Sequence, residues 1–332
     1  MQQALRNPDL SIILVNYKTP HLIIDCLRSV ETYTSGLTYE VLVVNNDPDP
    51  SGQAVVLNAF PGTRWIEMGY NSGFSRANNR GIAESAGRLV LLLNSDTLLI
   101  DNVLKRCADV LDSRPGVAAV GPMQITREGK VHTEAFDGFS QLRRYFYIVP
   151  GSGFFKRLLH RFLPDKRYAD PNEVDWLIGS FIMTRRETIE KAGGLDESFF
   201  MYAEDVEWCW RLGKQGQLLL LRDAFYVHLE YGSSSDYQES KVTHINRFKS
   251  QMHVSNLLWV RKQYGAGAYL VLILHYLTLI PVIFGWKIAV NLLNVRNPFS
   301  QLDNQRAFAR QVGIFLRFFW QTLFNQKGFY KV

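Results

Sequence analysis

The residues best suited to chemistry are carboxylates and a histidine placed where apolar runs end. Arg88-Leu89-Val90-Leu91-Leu92-Leu93 stops in Asn94-Ser95-Asp96. A buried strand ending in a short acidic loop holds a carboxylate at a crevice mouth, where Asp96 can grip a hard divalent cation against a diphosphate. A plain turn or helix N-cap uses the same residue types. A second set lies in Gly194-Leu195-Asp196-Glu197-Ser198-Phe199-Phe200-Met201-Tyr202-Ala203-Glu204-Asp205-Val206-Glu207-Trp208-Cys209-Trp210-Arg211, which packs acids among aromatics. Asp205, beside Glu204 at a helix start, can take a proton from an acceptor hydroxyl above an aromatic floor suited to a sugar ring. The same residues also make a capping cluster, with Glu207 and Arg211 as an i,i+4 pair. His228, closing the run Ala224–Val227, can complete a metal site through an imidazole nitrogen or simply stand at a polar strand edge.

Asn71-Ser72-Gly73-Phe74-Ser75-Arg76-Ala77-Asn78-Asn79 opens a helix through a glycine turn. Free backbone N–H groups and small side chains there permit close approach of an anion or base, although a capped helix explains the pattern as well. The glycine spacing is not that of a dinucleotide fold, and no Walker-type Gly-Lys-Ser/Thr run occurs.

These residues need strands and helices to position them. From Leu10 to Gln124 short apolar runs alternate with helical segments, the pattern of a parallel α/β layer. The predicted strands are 11–15, 41–44, 64–67, 89–93 and 117–120. Four of them end in polar residues: Asn16-Tyr17, Asn45-Asn46-Asp47, Gly69-Tyr70-Asn71 and Asn94-Ser95-Asp96. Ligands of open α/β sheets gather beyond the carboxyl ends of the strands, so these endings are expected to converge on one donor crevice. Residues 125–172 are less regular, with Pro150-Gly151-Ser152-Gly153 as a loop signal and Arg143, Arg144, Lys156, Arg157 and Arg161 scattered through them. This stretch reads as a mobile or acceptor-facing insertion. Further strands are expected at 174–178, 181–184, 218–221 and 224–228, with a helix opening near Glu204.

A 332-residue chain that is 47% hydrophobic can bury a sizeable core, which excludes disorder as its main state. Cys26, Cys107 and Cys209 are odd in number and far apart, so they predict neither a disulfide framework nor a zinc cluster and suit a reducing, cytoplasmic setting. No secretory leader is expected from the polar opening residues. The net charge of +6 is unevenly spread: residues 241–332 carry 12 Lys and Arg against the single acid Asp303. That basic excess is interleaved with apolar stretches, which suits an anionic lipid surface better than nucleic acid. Ala268–Trp286 is nineteen residues long and nearly all apolar, and 312–323 is a second amphipathic, aromatic-rich stretch. A spanning helix, an interfacial helical hairpin and a soluble helical cap all accommodate this composition.

In order and spacing, Ile13-Leu14-Val15-Asn16-Tyr17, Val43-Val44-Asn45-Asn46, Asn71-Ser72-Gly73-Phe74 with Asn78-Asn79, Leu93-Asn94-Ser95-Asp96, Gly194-Leu195-Asp196 with Phe199-Phe200, Glu204-Asp205 and His228 resemble the family 2 glycosyltransferases, most closely their rhamnosyltransferase-like branch. The resemblance runs from about Ser11 to Ser234. It implies an α/β GT-A fold, with a mostly parallel central sheet flanked by helices and a C-terminal hydrophobic helical extension. The implied division is a catalytic domain over 1–240, with a donor half to about 124 and an acceptor and base half beyond it, followed by a membrane-associating region over 241–332. Tyr17 and Asn45 would lie by the base and ribose, with Asn71, Gly73 and Asn78 shaping the nucleotide pocket. Asn94 and Asp96 would face the diphosphate, Asp96 would bind Mg2+ or Mn2+ with His228 as a further ligand, and Asp205 would be the general base beside Glu204. The family commonly has Asp where this chain has Asn45, and its metal motif commonly begins with Asp where this chain has Asn94.

The activity so implied is inverting transfer of a sugar, with L-rhamnose from dTDP-L-rhamnose favoured, onto a hydroxyl of a lipid-linked saccharide in bacterial surface polysaccharide assembly. The expected place is the cytoplasmic face of the inner membrane, held peripherally or monotopically. The alternatives are a UDP-galactose or UDP-glucose transferase of the same fold, and a catalytically silent sugar-binding or scaffold protein. The silent scaffold would predict a damaged acid set, whereas Asp96, Glu204, Asp205 and His228 are all present.

Overall fold

The computed structural model describes residues 7–131, 153–162, 168–229, 250–328 and 330–332. The insertion's loop signal at 150–152, with Arg143 and Arg144, lies outside these residues, as does the Lys156 side chain. The chain forms two compact units, one of Met1–Ser140, Lys166–Phe200 and Glu204–Ser235, the other of Gln141–Asp165, Met201–Ala203 and Asp236–Val332.

The first unit is built on β1 (Leu10–Asn16), β2 (Tyr39–Asn45), β3 (Arg64–Glu67), β4 (Leu89–Leu93), β5 (Thr97–Leu99), β6 (Val117–Ile125), β7 (Phe181–Arg185) and β8 (Gln217–His228), in the sheet order β3-β2-β1-β4-β7-β6-β8-β5. Its helices are α1 (Pro20–Tyr33), α2 (Gly52–Ala59), α3 (Phe74–Glu84), α4 (Val103–Ser113), α6 (Arg186–Ala192) and α7 (Glu204–Leu212). Period-two alternation sorts β1 between two layers. Leu10, Ile12 and Leu14 join Ile23 and Leu27 of α1 and Leu104 and Leu111 of α4 in the main core. Ile13 faces the other way, under α3, where Gly81 lies so close that an added Cβ would stand 2.5 Å from Ile13 Cγ2. Gly81 thus lets α3 ride directly on the sheet.

The parallel expectation holds for the first four strands, since β1 pairs in parallel with β2 and β4, and β2 with β3. The second half is mixed. β7 runs antiparallel to β4 and β6, and β5 antiparallel to β8, while β6 and β8 are parallel. The strand expected at 174–178 does not form; this segment instead carries Val174, Trp176 and Leu177 into the interior as a loop. Its backbone bonds are spent irregularly, Val174 N–H on the Leu218 carbonyl and Leu177 N–H on Cys209 Sγ. The two strands expected at 218–221 and 224–228 are one strand, β8, bent where its register with β6 shifts between Pro122 and Met123.

In the second unit, α5 (Gly153–Phe162) is joined by α8 (Ser250–Leu293), α9 (Asp303–Arg317) and α10 (Phe319–Leu323). The apolar stretch 268–286 lies within α8, which is interrupted at Gly265 by a left-handed backbone (φ 85°). The second amphipathic stretch, expected as one element over 312–323, is divided at Phe318 between α9 and α10.

Candidate active site

The polar strand endings meet at the carboxyl edge of the first unit. Register places Asn16 opposite Asn45, and Asn45 opposite Glu67. Asn16 Nδ2 donates to Asn45 Oδ1 at 2.7 Å, and Asn45 Nδ2 donates to Glu67 Oε2 at 2.8 Å and to the Asp47 carbonyl at 3.1 Å. Asn45 is fully buried, so its amide acts on the loop that follows β2. Its neighbour Asn46, not singled out from sequence, ties the next loop. Asn46 Oδ1 accepts from the Ser72 N–H and hydroxyl at 2.8 and 2.7 Å, and its Nδ2 donates to Asn71 Oδ1 at 3.2 Å. Tyr17 stays half-buried at the rim, with Lys18 Nζ 5.4 Å from its ring centre. Asn78 is turned into its own helix, donating to the Phe74 carbonyl at 2.9 Å.

Gly73 needs to be glycine twice over. Its φ is +83°, and an added Cβ would lie 2.6 Å from the Phe200 carbonyl oxygen. That same oxygen accepts the Phe74 N–H at 2.8 Å, so the loop entering α3 is stitched to the segment that leads into α7. Asn79 repeats the stitch one turn on, exchanging two 2.8 Å bonds with the Leu195 backbone.

Asp96 meets His228 because β5, only three residues long, pairs Thr97 opposite His228. His228 Nε2 lies 3.1 Å from Asp96 Oδ1, and Leu229 N–H donates to the Asp96 carbonyl at 2.9 Å. His228 Nδ1 is buried with no hydrogen-bond partner among the described residues. The loop is also braced by Thr19 Oγ1, 3.1 Å from Ser95 Oγ, which brings the β1 ending against it. Among the described residues no three His, Cys, Asp or Glu side chains form a closed metal cage.

Asp205 is held at the start of α7 by two backbone donors. Gly179 N–H reaches Oδ2 at 2.9 Å and Val206 N–H reaches Oδ1 at 2.9 Å. Burial raises the Asp205 pKa above the ordinary aspartate value, while these bonds and one from the Trp176 indole oppose the rise. Glu204 is more deeply buried, and desolvation followed by repulsion from Asp205 pushes its carboxyl well above the usual range. Glu204 Oε2 has no hydrogen-bond partner among the described residues. Since bonds to the charged form favour ionisation, Asp205 is the member of the pair that carries the negative charge first. Ser180, the residue after Gly179, turns its carbonyl to the other side, where it accepts the Asn94 N–H at 3.0 Å. The dipeptide Gly179-Ser180 therefore brackets the Asp205 carboxylate and the Asn94-Ser95-Asp96 loop together. Behind it Ser180 Oγ lies 2.6 Å from the Tyr226 hydroxyl, which donates to Gln124 Oε1 at 3.2 Å.

Residues 11–193 match the family model described as Glycosyl transferase family 2, more than half of the chain. The chain belongs to that family. Two relatives support the assignment of this family 2 glycosyltransferase. It is 31% identical over 223 residues to the N-acetylglucosaminyl-diphospho-decaprenol L-rhamnosyltransferase of Mycobacterium tuberculosis, covering 63% of this chain and 72% of that protein. It is 26% identical over 296 residues to the low-salt glycan biosynthesis hexosyltransferase Agl10 of Haloferax volcanii, covering 87% and 86%. In fold it resembles the crystal structure of GalNAc-T7 with UDP, GalNAc and Mn2+, with a TM-score of 0.55 at 14% identity over 77% of this chain. It spans about half of that solved chain, 48%. The glycosyltransferase thus has the GT-A architecture expected from its motifs. The sequence reading missed Gly179 as a contact of Asp205 because the Gly-Ser pair reads as a strand turn; its position just before β7, beside β4, is what makes it a bracket.

Proposed function

We propose that this glycosyltransferase moves a sugar from a nucleotide diphosphate to an acceptor hydroxyl by one inverting displacement, with Asp205 as the base. The observation that carries the reading is the Gly179-Ser180 bracket, which holds Asp205 and the Asn94-Ser95-Asp96 loop on one rigid support. Asp205 takes the proton of the acceptor hydroxyl as its oxygen bonds to the anomeric carbon. The bond from that carbon to the diphosphate breaks on the opposite face, and the nucleoside diphosphate leaves with the electron pair. Burial, and then repulsion from Asp205, pushes the Glu204 carboxyl well above the usual range, so Asp205, with its backbone donors, is the first of the pair to carry charge. Asn71 and Gly73 shape the nucleotide pocket at the entrance to α3. Tyr17 lines its rim, and Asn45 and Asn78 hold the surrounding loops and helix in place.

Asp96 and His228, a hard carboxylate and an imidazole 3.1 Å apart, would hold a divalent cation, although no third His, Cys, Asp or Glu is grouped with them among the described residues. Bound Mg2+ or Mn2+ would neutralise charge on the leaving diphosphate. Asn94, neutral where an acid is common in the family, leaves Asp96 as the one charge in its loop.

L-rhamnose is the favoured sugar, supported by the mycobacterial relative's name, which also suggests a lipid-linked saccharide acceptor; dTDP-L-rhamnose is its favoured donor form. A UDP-hexose donor is the second reading, its hexose supported by the haloarchaeal hexosyltransferase relative. Residues 1–240 form the catalytic domain and 241–332 a membrane-associating region on the cytoplasmic face of the inner membrane. Calorimetric titration of dTDP-L-rhamnose, UDP-glucose and UDP-galactose, each with Mg2+ and with EDTA, tests the donor assignment. Metal-dependent binding of dTDP-L-rhamnose alone is expected. Binding of a UDP-hexose alone moves the assignment to the second reading, and binding of none overturns both.

A further inference from the structure

Between Lys262 and Lys287, α8 carries no charged residue. Its exposed positions include Leu270, Val271, Leu274, Leu277, Val282 and Trp286, spaced to form one stripe along the helix, with Trp286 67% and Leu274 61% exposed. The opposite face, with Tyr269, Tyr276 and Ile283, is buried. A soluble surface does not sustain an apolar stripe of this length. The same unit contains a second one: Phe154, Leu158 and Phe162 stand exposed at i, i+4 and i+8 on α5, beside Arg157 and Arg161. An amphipathic helix with Arg next to its apolar stripe is the form of an interfacial segment.

Length alone permits α8 to span, because residues 268–286 cover roughly 28 Å as helix. The neighbour α9 decides against it. α9 runs back along the buried face of α8, with Tyr276 5.5 Å from Phe315 and 6.3 Å from Phe308, ring centre to ring centre. The connecting turn is closed by Asn291 Nδ2, which donates to the Pro298 and Ser300 carbonyls at 3.0 and 2.8 Å. The far end is tied by Arg261 Nε, donating to the Leu323 carbonyl at 2.8 Å. α9 therefore lies beside most of the apolar stretch, and its outer side exposes Arg306, Arg310 and Arg317. A spanning α8 would carry Arg306 and Arg310 to hydrocarbon depth with no acid beside Arg310 among the described ion pairs, a placement membranes select against.

We propose that the second unit lies in the plane of one leaflet, with the α8 stripe and the α5 stripe inserted among acyl chains and the basic residues at the level of anionic headgroups. The occupant is an anionic lipid surface rather than a second copy of the chain. With 12 Lys and Arg against one acid over 241–332, pairing two copies through this region would set like charges together, whereas phosphate headgroups complement them. This extends the reading that transfer occurs at a membrane surface and specifies how the chain is held there.

The test uses the full chain with vesicles containing phosphatidylglycerol and with vesicles of phosphatidylcholine alone. Co-flotation with the former that survives carbonate, and roughly ten-fold weaker binding of Leu274→Glu, are expected. Two variants with one added cysteine each then report topology, because the three native cysteines are buried. Arg296→Cys marks the turn end of α8 and Lys327→Cys the end tied near Arg261. Both are expected to react with a membrane-impermeant maleimide added outside the vesicles. Protection of one of them until detergent is added shows a span and overturns the proposal. Failure of the parent chain to float, with or without self-association, overturns it as well. Sugar transfer by Leu274→Glu in detergent separates this outcome from a failure of the transferase reading, since transfer there does not require the stripe.

Discussion

Gly179 donates its backbone N–H to Asp205 Oδ2 at 2.9 Å, and its α-carbon is so close that an added Cβ would stand 3.1 Å from both Asp205 Cβ and Oδ2. The residue that orients the proposed base is thus also the one that leaves it room. Gly179→Ala is expected to displace the carboxylate by a few tenths of an ångström and lower kcat roughly ten-fold or more, since small misplacements of a reacting group are costly. Donor affinity should stay unchanged, because the contact is on the base side. Steady-state transfer kinetics beside calorimetry of donor binding check both halves.

Asp205→Asn removes the base and keeps one acceptor oxygen, enough for one of the Gly179 and Val206 N–H groups. Turnover should fall by about 10²-fold to 10⁴-fold, the usual worth of a general base. The donor Kd should move little. Rapid-quench measurement at saturating donor separates loss of chemistry from loss of binding.

The raised pKa of Asp205 gives a pH signature. Because burial holds its carboxyl above the ordinary aspartate value, the base stays protonated up to a higher pH, and kcat should climb with pH through an apparent pKa that belongs to the Glu204–Asp205 pair. Stability should respond in the opposite sense. Two carboxyls with folded pKa values above their unfolded ones contribute stability that is present below the unfolded values and lost as pH rises through the folded ones. Urea unfolding across that range should show the parent losing stability with rising pH more steeply than Glu204→Gln. An equal slope in the two proteins contradicts the shift assigned to Glu204.

Gly73→Ala places a side chain at φ +83° against the Phe200 carbonyl. A destabilisation of about 1–3 kcal/mol is expected from the backbone alone. Donor binding should weaken as well, because the loop entering α3 must move. Denaturant midpoints and donor titration together register the change.

His228→Ala should weaken metal-dependent donor binding while leaving metal-free binding unchanged, since the imidazole touches Asp96 at 3.1 Å and has no other described hydrogen-bond partner. Titrations of donor in Mg2+ and in EDTA distinguish this from a general loss of fold.

β1, β2 and β4 were legible because each is a short apolar run with a polar ending, and buried parallel strands read that way, whereas β3, Arg64–Glu67, has exposed charged ends and was marked mainly by the polar turn that follows it. What the sequence concealed depends on pairing between distant segments. β5 is three residues long, below any periodic signal, yet its register is what sets Asp96 against His228. Residues 174–178 carry strand-like alternation, but their apolar members fill the interior while their backbone bonds go to Leu218 and Cys209. Asn45 and Asn46 look equivalent in sequence. Only the structure shows the first serving the β2 loop and the second the loop that enters α3. Asp205 was legible from its place at an acidic helix start, whereas Gly179 and Ser180 carry no chemical signature of their own.

The most direct measurement is one calorimetric and kinetic comparison: dTDP-L-rhamnose with the parent protein and with Asp205→Asn, in Mg2+ and in EDTA, with transfer to a lipid-linked saccharide acceptor followed in parallel. Both proteins are expected to bind the donor alike in Mg2+, EDTA to weaken binding in both, and only the parent to transfer the sugar. Undiminished transfer by Asp205→Asn, or equal donor binding by the parent with and without metal, would contradict the proposed function.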